Sequence, residues 1–262
     1  MTKHYTKAEH LGDVSIPGAH SLSFRDPSTL YVSTVIGQKT PSQGGVVECS
    51  MDVHTKPFFT SNCSYYSVAT GPEGAVAVRN AICDKNDLEI YSQKGHKVVE
   101  WQLPVGKHKG MVIDAEGNLY VCDASSHCIR VYDLTGELKR VIKNKEIRKP
   151  QYIALTLTGL VVTCMGDEPS LVSLSLDGEV LWSYDEFDWV AGVAVDGNND
   201  IYVCDVVEKK VIMLANEGEV SFDLVDGSML QNHQPFSVAV CGNKLAVQLL
   251  ECDVVKLFTL TS

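Results

Sequence analysis

The 262 residues are 45% hydrophobic and 21% charged, with a net charge of −11. This is ordinary globular composition with material for a large core, and no apolar run approaches the ~18–20 residues of a membrane span. The charge is uneven: residues 1–150 hold 18 Lys and Arg against 16 Asp and Glu, while residues 151–262 hold 4 against 17, so the second half disfavours a polyanionic partner and the first does not exclude one.

The N-terminal stretch "MTKHYTKAEHLGDVSI" lacks the apolar centre of a signal peptide, so a cytoplasmic chain, or a piece of a larger intracellular one, is expected. The nine cysteines are odd in number and scattered; reduced thiols fit that pattern, and Cys122, Cys164, Cys204 and Cys241 sit in apolar, strand-like surroundings.

In chain order the first predicted element is a strand over residues 8–16, "AEHLGDVSI". Six apolar triplets then recur: "LYV" (30–32), "VAV" (76–78), "LYV" (119–121), "LVV" (160–162), "IYV" (201–203) and "LAV" (245–247). Their last residues lie 46, 43, 41, 41 and 44 positions apart. Each is embedded in the same sequence of elements. An apolar strand such as "GVAVD" is followed by a Gly/Asn turn, a second strand such as "IYVCD", a variable loop, an alternating third strand such as "IRVYD", a turn such as "LTGE" and a fourth strand such as "LKRVI". No sustained helical period is present.

Four antiparallel strands at this period make one blade of a β-propeller, which covers its faces only by stacking on neighbours. The expected architecture is all-β: one six-bladed propeller over residues 1–262, with blades at 18–60, 64–103, 109–142, 150–185, 190–225 and 235–260. The last blade has three strands of its own, so strand 8–16 is expected to complete it and close the ring.

The pattern "GVAVD…N-x-IYV-x-D…V-x-x…D/E-G", clearest in blades 3 and 5, resembles the NHL repeat, and the chain is similar to the C-terminal NHL propellers of tripartite-motif (TRIM-NHL) proteins. That resemblance implies a recognition module, often attached to a RING ubiquitin ligase and in several members binding RNA. No RING, B-box or coiled-coil pattern occurs in the 262 residues, which leaves the isolated propeller of such an architecture.

On a rigid scaffold the variable loops carry function. These are the blade-to-blade loops and the loops between second and third strands, on one face. The partner surface is expected there, for a protein or peptide, with RNA as the alternative. Candidate contact residues are Lys39, Arg79 and Lys85, placed on second-to-third strand loops, and Lys107, His108, Lys109, Lys143, Lys145, Arg148 and Lys149, which form a basic arc with them. Tyr65, Tyr66 and Tyr152, near first-strand starts, are placed to stack on bases or hold a peptide. The propeller itself is expected to be monomeric, with no membrane partner and no cofactor.

Three enzyme-like readings are weaker. "CDASSHC" (122–128) offers Cys, Asp and His in seven residues, but a structural zinc needs four ligands, normally in two spaced pairs. His20, His108 and His233 lie near first-strand starts, where a channel metal would sit as in a six-bladed lyase, but their offsets within the repeats differ. The six first-strand starts, "PGAHSL", "CSYYSV", "KHKGMV", "KPQYIA", "WVAGVA" and "QPFSVA", contain no acidic residue, so a lactonase-like calcium cage has no ligands there. The chain is therefore not expected to be an enzyme. The NHL pattern usually places a basic residue at the start of the third strand, able to pair with the Asp that ends the second: Asp205 and Lys210 keep that option in blade 5, whereas in blade 3 the corresponding residue is Cys128, so Asp123 is expected to lack a basic partner.

Overall fold

The computed structural model describes residues 4–36, 43–82, 85–214 and 220–262. Among these, 24 strands form six four-stranded antiparallel sheets, the blades of a six-bladed β-propeller. The first blade comprises β2 (Ala19–Asp26), β3 (Thr29–Thr34), β4 (Gly44–Ser50) and β5 (Thr55–Ser61). The second comprises β6 (Tyr65–Thr70), β7 (Val76–Ile82), β8 (Lys85–Tyr91) and β9 (Lys97–Gln102). The third holds β10 (His108–Ile113), β11 (Leu119–Asp123), β12 (Cys128–Tyr132) and β13 (Leu138–Ile142). The fourth holds β14 (Pro150–Leu155), β15 (Gly159–Met165), β16 (Pro169–Ser175) and β17 (Val180–Tyr184). The fifth holds β18 (Val190–Val195), β19 (Ile201–Asp205), β20 (Lys210–Leu214) and β21 (Val220–Val225). The sixth is built from β22 (Pro235–Cys241), β23 (Lys244–Leu249) and β24 (Val254–Thr261), and its fourth strand is β1 (Lys7–Ser15).

The recurring triplets are the second strands, and their continuous apolar character has a direct cause. A strand whose two faces are both covered reads as an unbroken hydrophobic run, because successive side chains point to opposite faces. In β11, Leu119 and Val121 pack towards the second blade, while Tyr120 and Cys122 pack towards the fourth. In β19, Ile201 and Val203 face the fourth blade, and Tyr202 and Cys204 face the sixth. Each junction between neighbouring blades holds one such apolar cluster among the described residues. Fourth strands face water on one side and alternate, as in β13, where Ile142 is buried and Lys139 and Val141 are exposed.

The loop "CDASSHC" is the β11–β12 connection. Cys122 and Cys128 are both fully buried, and burial pushes the Cys122 thiol well above its ordinary pKa, so both act as small core side chains. Asp123 does have a basic partner, contrary to the expectation from the repeat. Arg130 Nε lies 2.9 Å from its Oδ2, and the Ser126 amide donates to Oδ1 at 2.9 Å. Asp123 stands opposite Cys128 and Val121 opposite Arg130, so Arg130 shares a face with Asp123 and reaches it diagonally. The direct pair fails instead in the fifth blade: Lys210, opposite Asp205, turns outward to Asp223 at 3.1 Å. His127, at a positive φ of 52°, accepts a hydrogen bond on Nδ1 from the Lys149 amide at 3.1 Å, tying the third blade to the fourth.

Ring closure rests on β1 and β24, which pair from Lys7↔Thr261 to Ser15↔Val254. Ala8 and Val14 of β1 enter the clusters on the two sides of the sixth blade. Asp13 lies directly opposite Lys256 in this ladder. The Lys256 side chain is only 1% exposed, and its Nζ donates to both Asp13 oxygens at 3.0 and 3.1 Å. Burial raises the pKa of Asp13, but hydrogen bonds from Lys256 and His10 outweigh it, and the net shift is downward. A carboxylate with a lowered pKa contributes stability that is full above its unfolded value and fades as pH falls through the folded value. Asp13→Asn should therefore lower unfolding stability by about 1–2 kcal/mol at pH 7, because Asp13 is itself partly exposed and screened. In urea titrations the gap between the two proteins should close towards pH 3; a gap that persists there would refute the electrostatic clasp.

Candidate functional site at the axial mouth

The six innermost strands, β2, β6, β10, β14, β18 and β22, surround the axis, and each begins on the variable-loop face. Each carries a register shift within its first residues: between Ala19 and Ser21, Tyr65 and Ser67, His108 and Met111, Pro150 and Tyr152, Val190 and Val193, and Pro235 and Ser237. In every case one residue more stands on the inner strand than on its partner. A bulge of this kind bends the strand and re-aims the extra side chain. Here it turns the second residue of a strand towards the axis: His20, Tyr66, Lys109, Gln151 and Phe236 all line a funnel at the mouth. In β10 and β18 the next residue is glycine. A Cβ on Gly110 would come within 2.8 Å of the Tyr152 backbone, and one on Gly192 within 2.9 Å of the Phe236 and Ser237 backbone, so glycine lets the next blade approach.

The funnel encloses about 330 Å³. Its wall also includes Arg79 from β7, Tyr152, Met165 and Trp189. Edge-to-face ring contacts run around the rim: Tyr66 to His20 at 5.0 Å, His20 to Phe236 at 5.5 Å, and Phe236 to Tyr152 at 5.8 Å between centroids. Such contacts fix ring orientations as well as burying area. Below the mouth the channel is lined mainly by apolar strand residues, including Leu22, Val68, Ile153, Val193 and Val238.

Charge in the funnel has one sign. Arg79 is 5% exposed. Its guanidinium lies 5.5 Å from the Tyr66 ring centroid, and its Nε has no hydrogen-bond partner. Burial lowers its pKa to about 10; among the described residues the Tyr66 and Tyr152 hydroxyl groups act against it and no acidic residue contributes. Lys109 is exposed, yet loss of hydration, then Arg79 and Lys107, lower its amine below the ordinary value. Burial, partly offset by a hydrogen bond with the Tyr66 backbone and reinforced by Lys109 and Arg79, pushes His20 down to about 4, so its imidazole is neutral at pH 7; among the described residues its buried Nδ1 has no hydrogen-bond partner. No carboxylate is among the lining residues. The funnel is thus an aromatic-walled recess with two cations and, among the described residues, no internal counter-ion, suited to an anion borne on an apolar body.

The candidate residues divide accordingly. Arg79, Lys109, Tyr66 and Tyr152 meet in the funnel, and His20 joins them. Arg79 lies within β7 and Lys85 opens β8; neither belongs to a loop, because these strands extend further than the turn-like residues "NAICDKND" suggested. Tyr65 is buried, with its hydroxyl donating to Glu89 at 3.1 Å, and so has no free face for stacking. Lys107, Lys143 and Lys149 are exposed on the same face as the mouth. Two members of the basic arc have acidic neighbours: Lys145 with Glu146 at 3.6 Å and Arg148 with Asp167 at 3.9 Å. Lys39 lies outside the described residues, as do the side chains of Lys85 and His108. His233 packs in the β21–β22 loop with Nδ1 3.3 Å from the Leu230 carbonyl and does not line the funnel, so it does not join His20. No group of three or more His, Cys, Asp or Glu suited to a metal occurs among the described residues. Trp189, Phe236, Gln151 and Met165 are funnel residues that sequence reasoning did not single out. The first three lie in the first-strand segments, but the bulges that turn Gln151 and Phe236 inward leave no mark in composition.

No protein-family model matches the chain, and no curated protein matches it in sequence. Among solved structures it is similar to a virginiamycin B lyase from Staphylococcus aureus, at 12% identity and a TM-score of 0.68, covering 97% of this chain and 100% of that one. It is also similar to a gluconolactonase from Xanthomonas campestris, at 11% identity and a TM-score of 0.71, covering 97% and 89%. A third similar structure is the WD40 β-propeller domain of Doa1, at 13% identity and a TM-score of 0.66, covering 97% and 98%. Likeness at these identities shows the shared propeller fold, which hosts both enzymes and binding domains. Among the described residues no helix is long and apolar enough to cross a membrane.

An uncompensated buried cation is costly to the fold. A fall in the Arg79 pKa from 12.5 to about 10 corresponds to a cost on the order of 3 kcal/mol at neutral pH, since each unit is worth about 1.4 kcal/mol. For a base with a lowered folded pKa, that cost is full while the group is charged in both states and fades only as pH rises through the folded value. Arg79→Met removes the charge, keeps much of the volume and loses the contact with Tyr66, itself worth roughly 1 kcal/mol. Urea unfolding of the unliganded protein at pH 7 should show the variant equal to or about 1–2 kcal/mol more stable than the parent. A loss of more than about 1 kcal/mol would mean that Arg79 has an internal partner.

Proposed function

We propose that the chain is a non-enzymatic recognition propeller that binds a peptide segment of a partner protein at the axial mouth of its variable-loop face. The observation that carries this reading is the funnel itself: five aromatic or imidazole rings and two cations converge there without a carboxylate among them. General acid–base work needs a group whose pKa lies near the working pH. His20 is neutral, titrating near 4, and Arg79, lowered only to about 10, remains charged, so these groups hold a ligand rather than turn one over. The β-propeller presents this surface rigidly, and the loops of six blades surround it, as suits capture of an extended segment.

The NHL-type repeat in the third and fifth blades supports a finer placement. The chain is the recognition module of a TRIM-NHL-type protein, acting in the cytoplasm as a monomeric propeller and selecting substrates for a RING-type ubiquitin ligase. RNA binding along the basic arc is the competing reading. It is weakened by the acidic neighbours of Lys145 and Arg148, and by exposed Asp167, Glu168, Asp188, Asp226 and Glu251 on the other half of the same face.

The two readings differ in where mutations act. Randomised fluorescein-labelled peptide pools should bind with micromolar affinity, with a modest salt dependence, and should perturb Trp189 fluorescence. The paired substitutions Lys143→Glu and Lys145→Glu should change that affinity less than three-fold. Labelled single-stranded RNA should bind weakly. Tight RNA binding with a steep salt slope, lost in the paired variant, would favour the RNA reading and remove the peptide one.

A further inference from the structure

Across the variable-loop face the charges are arranged in two fields with the funnel between them. Exposed Lys107, Lys143 and Lys149 lie on the side of the second to fourth blades, and exposed Asp167, Glu168, Asp188, Glu208, Asp226 and Glu251 on the side of the fourth to sixth. A polyanion centred on the mouth would run over the acidic half. A segment bearing a single negative charge meets no such barrier, and any basic residues beside that charge gain by lying over the acidic half. Within the mouth, Arg79 is nine-tenths buried, has no acidic partner among the described residues, and has an Nε without a hydrogen bond. Lys109 flanks it in the same wall. A guanidinium held against a ring and stripped of water is a preorganised, two-pronged receptor for a planar carboxylate.

We propose that the funnel is a carboxylate-reading site: Arg79 and Lys109 bind one acidic group of an extended peptide, either a Glu or Asp side chain or a C-terminal carboxylate, while Tyr66, Tyr152, Trp189 and Phe236 enclose the apolar part that carries it. The ligand's basic residues lie towards the fourth to sixth blades. This rests on the reading of the mouth as a peptide site and names what that site selects. The neutral His20 contributes shape, so affinity between pH 6 and 8 is flat as far as His20 is concerned.

The test uses the full 262-residue chain and four unlabelled peptide pools, titrated by calorimetry, of one random composition that excludes Asp and Glu, with lysines at one end. Two pools have an amidated C-terminus and a fixed central Glu or Gln; two have a fixed central Gln, one of them with a free C-terminal carboxylate and one with three further random residues before the amide. The central-Glu pool or the free-carboxylate pool should bind at least ten-fold more tightly than its neutral counterpart, and which of them does so identifies the source of the carboxylate. Arg79→Met should abolish that preference, and Arg79→Lys should retain part of it, with the urea midpoint of each variant confirming a folded chain. Equal affinity for acidic and neutral pools, unchanged by Arg79→Met, would overturn the proposal while leaving peptide recognition at this face intact. Failure of every pool to bind at several hundred micromolar would overturn both. A single-stranded RNA 12-mer that binds and loses affinity on Arg79→Met would show that the funnel takes nucleic-acid phosphate, and would also overturn the proposal.

Discussion

The structure depends on one constraint: in each blade the second strand has both faces covered by protein. A four-stranded sheet alone leaves half its apolar surface in water. Stacking blades around an axis removes that exposure, but only if the stack closes on itself. The pairing of β1 with β24 supplies that closure, joining residues near the two ends of the sequence. The cost of aligning strands so far apart in the chain is offset by the whole set of junctions, since the clusters on both sides of the sixth blade include residues of β1. The buried Lys256 opposite Asp13 gives this pairing a register that a purely apolar strand would specify less sharply.

The same arrangement creates the site. Each of the six inner strands carries a bulge near its first residue, at the mouth. Bulges turn side chains that would have continued the pleat into the funnel. The geometry is nearly six-fold, but the residues are not: imidazole, phenol, amine, amide and phenyl stand at corresponding places in five of the strands. Specificity on a symmetric scaffold comes from this departure from symmetry. The uncompensated Arg79 belongs to the same pattern. A buried cation without a partner opposes folding, and a residue that does so at the centre of the variable face is better explained by a ligand than by stability.

Much of this was legible in the sequence because it rests on period. The triplets repeat at blade spacing, so the number of blades and the closing strand followed from counting. Side-chain direction was less legible. Arg79 looked like a loop cation because "NAICDKND" is rich in turn formers, yet β7 and β8 run through most of it. Tyr65 and Tyr66 are neighbours in sequence but opposite in role, one bonded to Glu89 in a core and the other turned to the axis by a bulge. Asp123 found Arg130 on the diagonal, a pairing that direct alignment of the repeats does not show. These cases all turn on local register, which a repeat pattern averages away.

The central claim is that Arg79 waits at the mouth for an anion. The most direct observation is the Arg79 Nε–H resonance in the 15N-labelled protein, titrated with 3-phenylpropionate as a minimal carboxylate on an apolar body. The account predicts a saturable downfield shift and slowed exchange of that one arginine signal, identified by its absence in Arg79→Met, with 3-phenylpropionamide producing neither change. An Arg79 resonance that stays in place at saturating carboxylate, or that moves equally with the amide, would contradict it.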